Sequence, residues 1–418
     1  MGKERRSEKE KEKGMNRRNF LRTVGAAGIG AAVFSAMKKE GFTPKTAFAQ
    51  VKKAIKIGIV LPLSGGLELF GQQGIQGAKM AVAEINEAGG VLGGHKFELI
   101  IEDNKTDPKT SVEKATKLIQ RDNVLAVLGP ITSGARDAMT PTMTKLKTPL
   151  LYATDYEGGV CNRYLFCYSA LPEQMVDPFI PWLAQHYGKT FYLFGADYVW
   201  PHKMNVAIKR AIGKVGGTVL AEEYTPFGVK EFSAVIRKMA DKAPKVLVFT
   251  LPGADGQTFV KQFHEFGMKK KIKIAFMGFN DNYMSGFTAE QANEIVTCNH
   301  FIQSLDFPVA REFVQKQTKM FGEKAIVSFY VDSHYGSIYF LKKGVERAGS
   351  IDKEKVIDAM GDQAITVPSG NVILRRSDHH VVLNMLISEV ENGVLQLRKY
   401  IGPIVPPNQC AGKKMTGT

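Results

Sequence analysis

From Ile55 onward the chain alternates short β-branched runs with amphipathic segments of helical length, and this alternation restricts the fold more than any other feature. Strand candidates are Ile55–Leu61, Phe97–Glu102, Val124–Leu128 and Pro149–Tyr152, then Thr190–Phe194, Thr218–Ala221, Val246–Thr250 and Lys273–Met277. Between them lie helical patterns at Gly74–Ala88, Thr110–Arg121, Pro172–Tyr187, His202–Val215, Glu231–Asp241 and Gly256–Phe266. Strands that are apolar almost throughout, separated by crossover-length helices, predict an α/β fold with a parallel sheet covered on both faces. In the first helix Ile75, Ala78, Met80, Ala81, Val82 and Ile85 form the stripe to be buried. Asn86 and Gly89–Gly90 end it, because the backbone there must turn through positive φ.

After Ile302 the order changes. Helical segments at Val309–Phe321, Ser328–Ala348 and Asp352–Met360 precede an extended run from Pro368 and two alternating runs, Val381–Glu389 and Val394–Tyr400. Asn392–Gly393 between the last two is a hairpin signal. Two β/α halves followed by such a tail suggest two lobes joined by more than one crossing, a hinge able to close around a ligand.

The N-terminal residues read as an export leader rather than as fold. Arg17-Arg18-Asn19-Phe20-Leu21-Arg22 is a twin-arginine pattern, Val24 to Met37 is a short apolar run, and Ala47-Phe48-Ala49 makes an A-x-A cleavage site. The apolar run is about 14 residues, short of the roughly 20 that span a bilayer. The expected signal peptide is 1–49, with Met1 or Met15 as the start and the mature chain beginning near Gln50. Those 49 residues hold 12 Lys and Arg against 5 Asp and Glu, so their removal takes the formal net charge from +15 to +8. What remains is ordinary lysine on helix faces with no basic stripe interleaved with aromatics, so no nucleic-acid partner is expected. The remaining length of about 370 residues suits two lobes better than one core.

Two strand candidates stop in small hydroxylated turns. Val124–Leu128 runs into Gly129-Pro130-Ile131-Thr132-Ser133-Gly134, and Pro149–Tyr152 into Ala153-Thr154-Asp155-Tyr156-Glu157-Gly158. In an open parallel sheet, ligands bind outside the carboxyl ends of the strands, where helix starts offer unpaired N–H groups. Thr132, Ser133, Thr154 and Asp155 are therefore the candidate contacts for a small polar solute, although each hydroxyl also fits ordinary helix capping. In the second half, Tyr198-Val199-Trp200-Pro201 follows the strand Thr190–Phe194 and offers aromatic faces with polar edges, suited to a lid. Phe279-Asn280-Asp281 ends another strand; Asp281 could accept a ligand N–H, or the pair could simply make a turn.

Catalysis is not expected. Ser133 lacks a G-x-S-x-G setting and has no neighbouring histidine in sequence, and no phosphate-cradling glycine loop follows a strand. His334 lies in an aromatic helix, and Asp378-His379-His380 before an apolar strand reads as a structural turn, so no metal or other cofactor is expected. Cys161, Cys167, Cys298 and Cys410 are even in number and in an export context. Three pairings are possible; Cys161–Cys167, across a short loop, is the favoured bridge.

Several segments together resemble the type I periplasmic solute-binding proteins of branched-chain amino acid ABC transporters. They are Ile57–Gly65 (IGIVLPLSG), Gly77–Asn86 (GAKMAVAEIN) and Gly129–Gly134 (GPITSG). Tyr156–Gly158, Gly195–Pro201 (GADYVWP), Glu222–Pro226 (EEYTP) and Asp378–His380 resemble the urea and short-chain amide branch more closely. The resemblance implies two Rossmann-like lobes with a three-crossing hinge and a ligand in the cleft: lobe one at 54–171 plus 304–379, lobe two at 172–303 plus 380–410. It puts Ser133, Tyr152, Thr154 and Tyr198 on the family's ligand contacts, and Asn280 or Asp281 where amino-acid binders keep an acidic residue. Ile131 and Trp200 stand where the amide sensor of this branch has tyrosines, and Asp155 where it has proline. A buried aspartate favours a cationic or N–H-rich ligand, because an unpaired buried charge is costly.

The function expected is that of an exported, periplasmic protein that closes on a small polar solute, with Tyr198 and Trp200 as the lid, and presents it to a membrane ABC permease. Urea or a short amide heads the ligand classes, with an aliphatic amino acid as the alternative. A ligand-sensing regulator of the same fold would need no leader, and an exported amide hydrolase would show turnover.

Overall fold

The computed structural model describes residues 52–418; the leader expected over residues 1–49 lies outside them. The first parallel sheet contains β1 (Ile55–Leu61), β2 (Phe97–Asp103), β3 (Ala126–Leu128), β4 (Leu150–Tyr152) and β5 (Leu165–Cys167), in the order β2-β1-β3-β4-β5. Helices α1 (Glu68–Glu87), α2 (Pro108–Gln120) and α3 (Ser133–Lys145) connect its strands. The chain then passes through α4 (Pro172–His186) into the second sheet. There β6 (Thr190–Ala196), β7 (Thr218–Thr225), β8 (Val246–Thr250), β9 (Lys273–Phe276) and β10 (Val296–Asn299) alternate with α5 (Val199–Lys214), α6 (Ser233–Lys242) and α7 (Gly253–Glu265). The parallel part of this sheet runs β7-β6-β8-β9-β10, the same order as the first. Each lobe is thus one doubly wound half whose strand order reverses beside its first strand, where such sheets open a crevice.

From β10 the chain returns to the first lobe as α8 (Pro308–Phe321), α9 (Phe329–Ala348) and α10 (Lys353–Met360). Helix α9 packs along α1, and the close approach depends on glycine: a Cβ at Gly77 would stand 2.3 Å from the Val331 carbonyl oxygen. Strand β11 (Gln363–Val367) pairs with β12 (Gly370–Leu374), which pairs with the start of β13 (Val381–Glu391), whose far end pairs antiparallel with β10. By hydrogen bonding, the 363–374 hairpin therefore joins the second sheet, although the sequence reading groups it with lobe one. Strand β14 (Val394–Ile404) follows through Asn392 and Gly393, both at positive φ, as a tight hairpin turn requires.

The segment after β14 also departs from the sequence reading, which left it on lobe two. It returns to lobe one, where Cys410 is bonded to Cys161 across 249 residues and Thr416 pairs with Asn162. The expected Cys161–Cys167 bridge does not form. Cys167 is buried in β5, in register with Tyr152 of β4, and the strand holds it away from the loop. Strand β5, which has no β-branched residue, and the four-residue β10 with its buried Cys298 are absent from the strand candidates.

The first helix begins at Glu68, six positions before the expected Gly74, because Phe70 stacks on Tyr330 at 4.9 Å and anchors a turn that two glycines would otherwise weaken. Helix α3, of which the sequence marks only the start, encloses Pro141 and buries Met139 and Met143 as its apolar contacts.

Candidate functional site: a closed cavity between the lobes

The carboxyl ends of both sheets face one another across a cavity of about 40 Å³. From lobe one, the exit of β3 contributes Ile131, Thr132 and Ser133, and the end of β4 contributes Tyr152, Thr154 and Asp155. The start of α1 adds Leu67 and Phe70, and the start of α9 adds Phe329 and Tyr330. From lobe two come Tyr198 and Trp200 after β6, Pro252 after β8, and Met277, Gly278 and Tyr283 after β9.

Seven of the eight residues singled out in the sequence line this one space: Thr132, Ser133, Tyr152, Thr154, Asp155, Tyr198 and Trp200. Asp281 does not. Its carboxylate accepts from the Gln303 amide at 3.1 Å, and its neighbour Asn280 caps the following turn through the Asn282 amide at 3.1 Å. The turn reading describes that pair; Asp281 serves the second crossing between the lobes rather than the cavity.

Thr132 is the N-cap of α3, accepting from the Ala135 amide at 3.4 Å, which leaves the Ser133 and Gly134 amides in a first turn without intrahelical acceptors. Asp155 is buried, and its Oδ1 accepts from the Ala170 amide at 2.7 Å. Its Oδ2, the Tyr152 hydroxyl and the Trp200 indole Nε1 have no hydrogen-bond partner among the described residues. Burial pushes the Asp155 carboxyl up to about 7, against the pull of the Ala170 amide. Burial also raises the Tyr152, Tyr198 and Tyr330 phenols, so all three remain neutral donors. The cavity thus combines neutral donors with a carboxyl poised between its two forms.

Behind the lobe-one wall lies an ion pair that the sequence reading missed. Arg136, fully buried on α3, donates from Nη2 to Glu157 Oε1 at 2.9 Å and sits over the Tyr156 ring at 4.4 Å. Glu157 Oε2 accepts from the Ser133 hydroxyl at 2.8 Å. Tyr156-Glu157-Gly158 stands out in the sequence as a motif, but nothing local marks a partner 21 residues away. Of the aromatic members, Tyr330 lies in a segment that reads as helix core, where periodicity does not separate it from packing residues, and Phe70 lies before the expected start of its helix.

The lobes touch beyond the cavity. Asn282 Nδ2 donates to the Leu69 carbonyl at 2.8 Å, Lys203 on α5 lies 3.5 Å from Glu157, and the rings of Phe70 and Tyr283 are 5.7 Å apart. Gly253, at φ 69°, passes so close that a Cβ there would stand 2.6 Å from the Gly66 carbonyl oxygen. At the hinge, the Asp332 carboxylate accepts from the Tyr168 hydroxyl at 2.9 Å and the Ser369 amide at 3.0 Å, joining the first crossing to α9 and to the β11–β12 turn. His334 is core, its Nδ1 2.7 Å from the Tyr330 carbonyl. In the Asp378–His380 turn, Arg375 pairs with Asp378 and His379 stacks on Phe166 at 4.0 Å.

Comparison with known proteins agrees with this architecture. The Leu/Ile/Val-binding protein homolog 3 of Brucella melitensis is 26% identical over 325 residues, covering 76% of this chain and 85% of the relative. The leucine-, isoleucine-, valine-, threonine- and alanine-binding protein of Pseudomonas aeruginosa is 24% identical, covering 81% and 90%. Among solved structures, the solute-binding protein of a Rhodopseudomonas palustris ABC transporter in complex with 3,4-dihydroxybenzoic acid superposes with a TM-score of 0.76 at 22% identity, covering 87% and 99%. The substrate-binding protein LivJ of Streptococcus pneumoniae in complex with isoleucine gives 0.75 at 23%, covering 84% and 100%. A family model described as periplasmic binding protein matches residues 54–394, and with its two doubly wound lobes closed over an interlobe cavity this chain belongs to the periplasmic binding protein family.

Proposed function

We propose that this protein is the exported substrate-binding component of an ABC importer and that its solute is urea or a short-chain amide. The observation that carries this reading is the pairing of a very small cavity with unsatisfied groups of both kinds. About 40 Å³ corresponds to roughly three water molecules. So small a space favours a compact solute such as urea or acetamide. Among the lining groups, the Tyr152 hydroxyl and the Trp200 indole can donate to a ligand carbonyl, and Asp155 Oδ2 can accept a ligand N–H. One planar amide carries both kinds of partner.

A second reading, an aliphatic amino acid, is favoured by the relatives that bind leucine, isoleucine and valine and by the Asp155 carboxyl, which could pair with an ammonium group. It requires Asp155 to be ionised and the cavity to widen. The partner in either case is the membrane permease of the importer, and the Arg17–Arg18 leader supports export by the twin-arginine route to the periplasm. Thermal-shift and calorimetric titration of the mature protein with urea, acetamide, L-alanine, L-leucine and benzoate separates these readings. Urea or acetamide should raise the melting temperature most. A larger shift with leucine or benzoate would replace the amide reading.

A further inference from the structure

The Ser133 hydroxyl is already committed. A hydroxyl owns one proton and two lone-pair sites, and the proton of Ser133 goes to Glu157 Oε2 at 2.8 Å. That carboxylate is held from two other sides: Arg136 donates to its Oε1 at 2.9 Å, and Lys203 from the opposite lobe lies 3.5 Å from the same oxygen. The Glu157 side chain is 1% exposed and that of Arg136 0%, so neither water nor rotation readily releases the arrangement. A carboxylate held in an ion pair can only accept, which fixes the direction of the Ser133 hydrogen bond. What Ser133 has left for the cavity is a lone pair.

We infer that Glu157 is a specificity-determining residue that acts through Ser133, turning this hydroxyl into an obligate acceptor and so selecting solutes that present N–H at the lobe-one wall. The inference rests on the amide reading above and sharpens it. Of the groups on the lining residues, Ser133 Oγ and Asp155 Oδ2 can accept, and the Tyr152 hydroxyl and Trp200 Nε1 can donate. An amide satisfies both pairs with its nitrogen toward the first and its oxygen toward the second. A carboxylate of the same shape sets an oxygen against the Ser133 lone pair, and one mismatched buried polar contact of this kind discriminates strongly. Lys203 links the device to closure, because its ammonium reaches Glu157 only when lobe two is docked. The polarity of the wall is therefore completed as the cleft shuts.

The test compares acetamide with acetate, which differ in little but the N–H groups, by calorimetry on the mature, disulfide-intact protein. In the wild type acetamide should bind at least about a hundredfold more tightly. Glu157→Gln frees the Ser133 proton, and this preference should fall about tenfold, with acetate binding gained as acetamide binding is lost. Ser133→Ala should lower the preference by a similar factor, and the double variant should be no worse than Ser133→Ala alone, because the first residue acts through the second. Equal weakening of both solutes by Glu157→Gln, or additive effects in the double variant, would overturn the inference while leaving the amide reading intact. Failure of acetamide and urea to bind the wild type would remove that reading and the inference with it. Should Glu157→Gln fail to fold, Ser133→Ala decides alone: a lowered preference supports the inference, and an unchanged one overturns it.

Discussion

Replacing Asp155 with Asn separates the ionisation of the cavity carboxyl from its shape. In the unfolded chain this group titrates near 3.8, and burial in the closed cleft pushes it up to about 7. Between those values the folded protein holds a proton that the unfolded chain has released, so the native state is favoured at low pH and loses that advantage as pH rises. The contribution is fully present below about pH 4 and gone above about pH 7, with a slope of about 1.4 kcal/mol per pH unit between. From pH 5 to pH 7 the wild type should therefore lose about 2 kcal/mol through this residue alone, a fall in melting temperature of about 3 °C for a chain of this size. Asp155→Asn keeps the acceptor for the Ala170 amide, 2.7 Å away, and cannot titrate. Burial also raises Asp281 to about 7 and Asp332 to about 6, and both contribute to the slope of either protein. The difference between the two profiles isolates Asp155. Calorimetric melting of solute-stripped protein from pH 5 to pH 8 is the assay, with heat as the denaturant because urea is a candidate ligand. Parallel profiles agreeing within about 0.5 kcal/mol would show that the carboxyl does not titrate in this range, and the account of its burial would be wrong.

Under denaturing, non-reducing conditions alkylation should modify Cys167 and Cys298 but not Cys161 and Cys410, as read by mass spectrometry. Cys410→Ser should lower stability by up to about 5 kcal/mol, the loop-closure value for a bridge of this span, and should expose the tail beyond Ile404 to proteolysis; an unchanged melting temperature would refute a tethering role. Asn282→Ala removes the contact with the Leu69 carbonyl across the cleft, 2.8 Å long, and should weaken solute binding about fivefold through loss of the closed form while changing the melting temperature of the solute-free protein little. Equal losses in both measurements would make this bond structural rather than a closure contact.

The strand ends were legible because the signals there are local. Val124–Leu128 and Pro149–Tyr152 are apolar runs that stop in hydroxylated turns, and the rule placing ligands at the carboxyl ends of parallel strands marks them as candidates, which the structure brings to one cavity. Tyr198 and Trp200 were legible for the same reason in the second lobe. Asp281 shows the limit of that rule, since a strand end supplies candidates but does not say which way a side chain turns, and this one found the Gln303 amide. Glu157 and Arg136 could not be read because their pairing depends on two loops meeting in space. The fourth passage of the chain, from β14 back to lobe one, was hidden for a related reason: proximity in sequence favoured Cys161–Cys167, whereas a strand between Leu165 and Cys167 carries the second thiol into the sheet. Sequence distance is a poor guide to a bridge whenever secondary structure intervenes.

The closed form carries its own reason not to persist without a solute. Shutting the cleft buries Asp155 Oδ2, the Tyr152 hydroxyl and Trp200 Nε1, none of which finds a partner among the described residues. Each such group costs about 1–3 kcal/mol when it loses water and gains nothing in return. The contacts that favour closure are modest by comparison. They include one neutral hydrogen bond from Asn282, one ion pair of Glu157 with a half-exposed lysine, and the aromatic contact of Phe70 with Tyr283. A solute that satisfies the three buried groups shifts this balance by several kcal/mol, and only a solute with acceptor and donor in the right places can do so. Selection and closure are then the same event. On the proposed function, the chemistry of the cavity wall decides which molecule closes the lobes, and the closed surface is what the importer's permease would have to recognise.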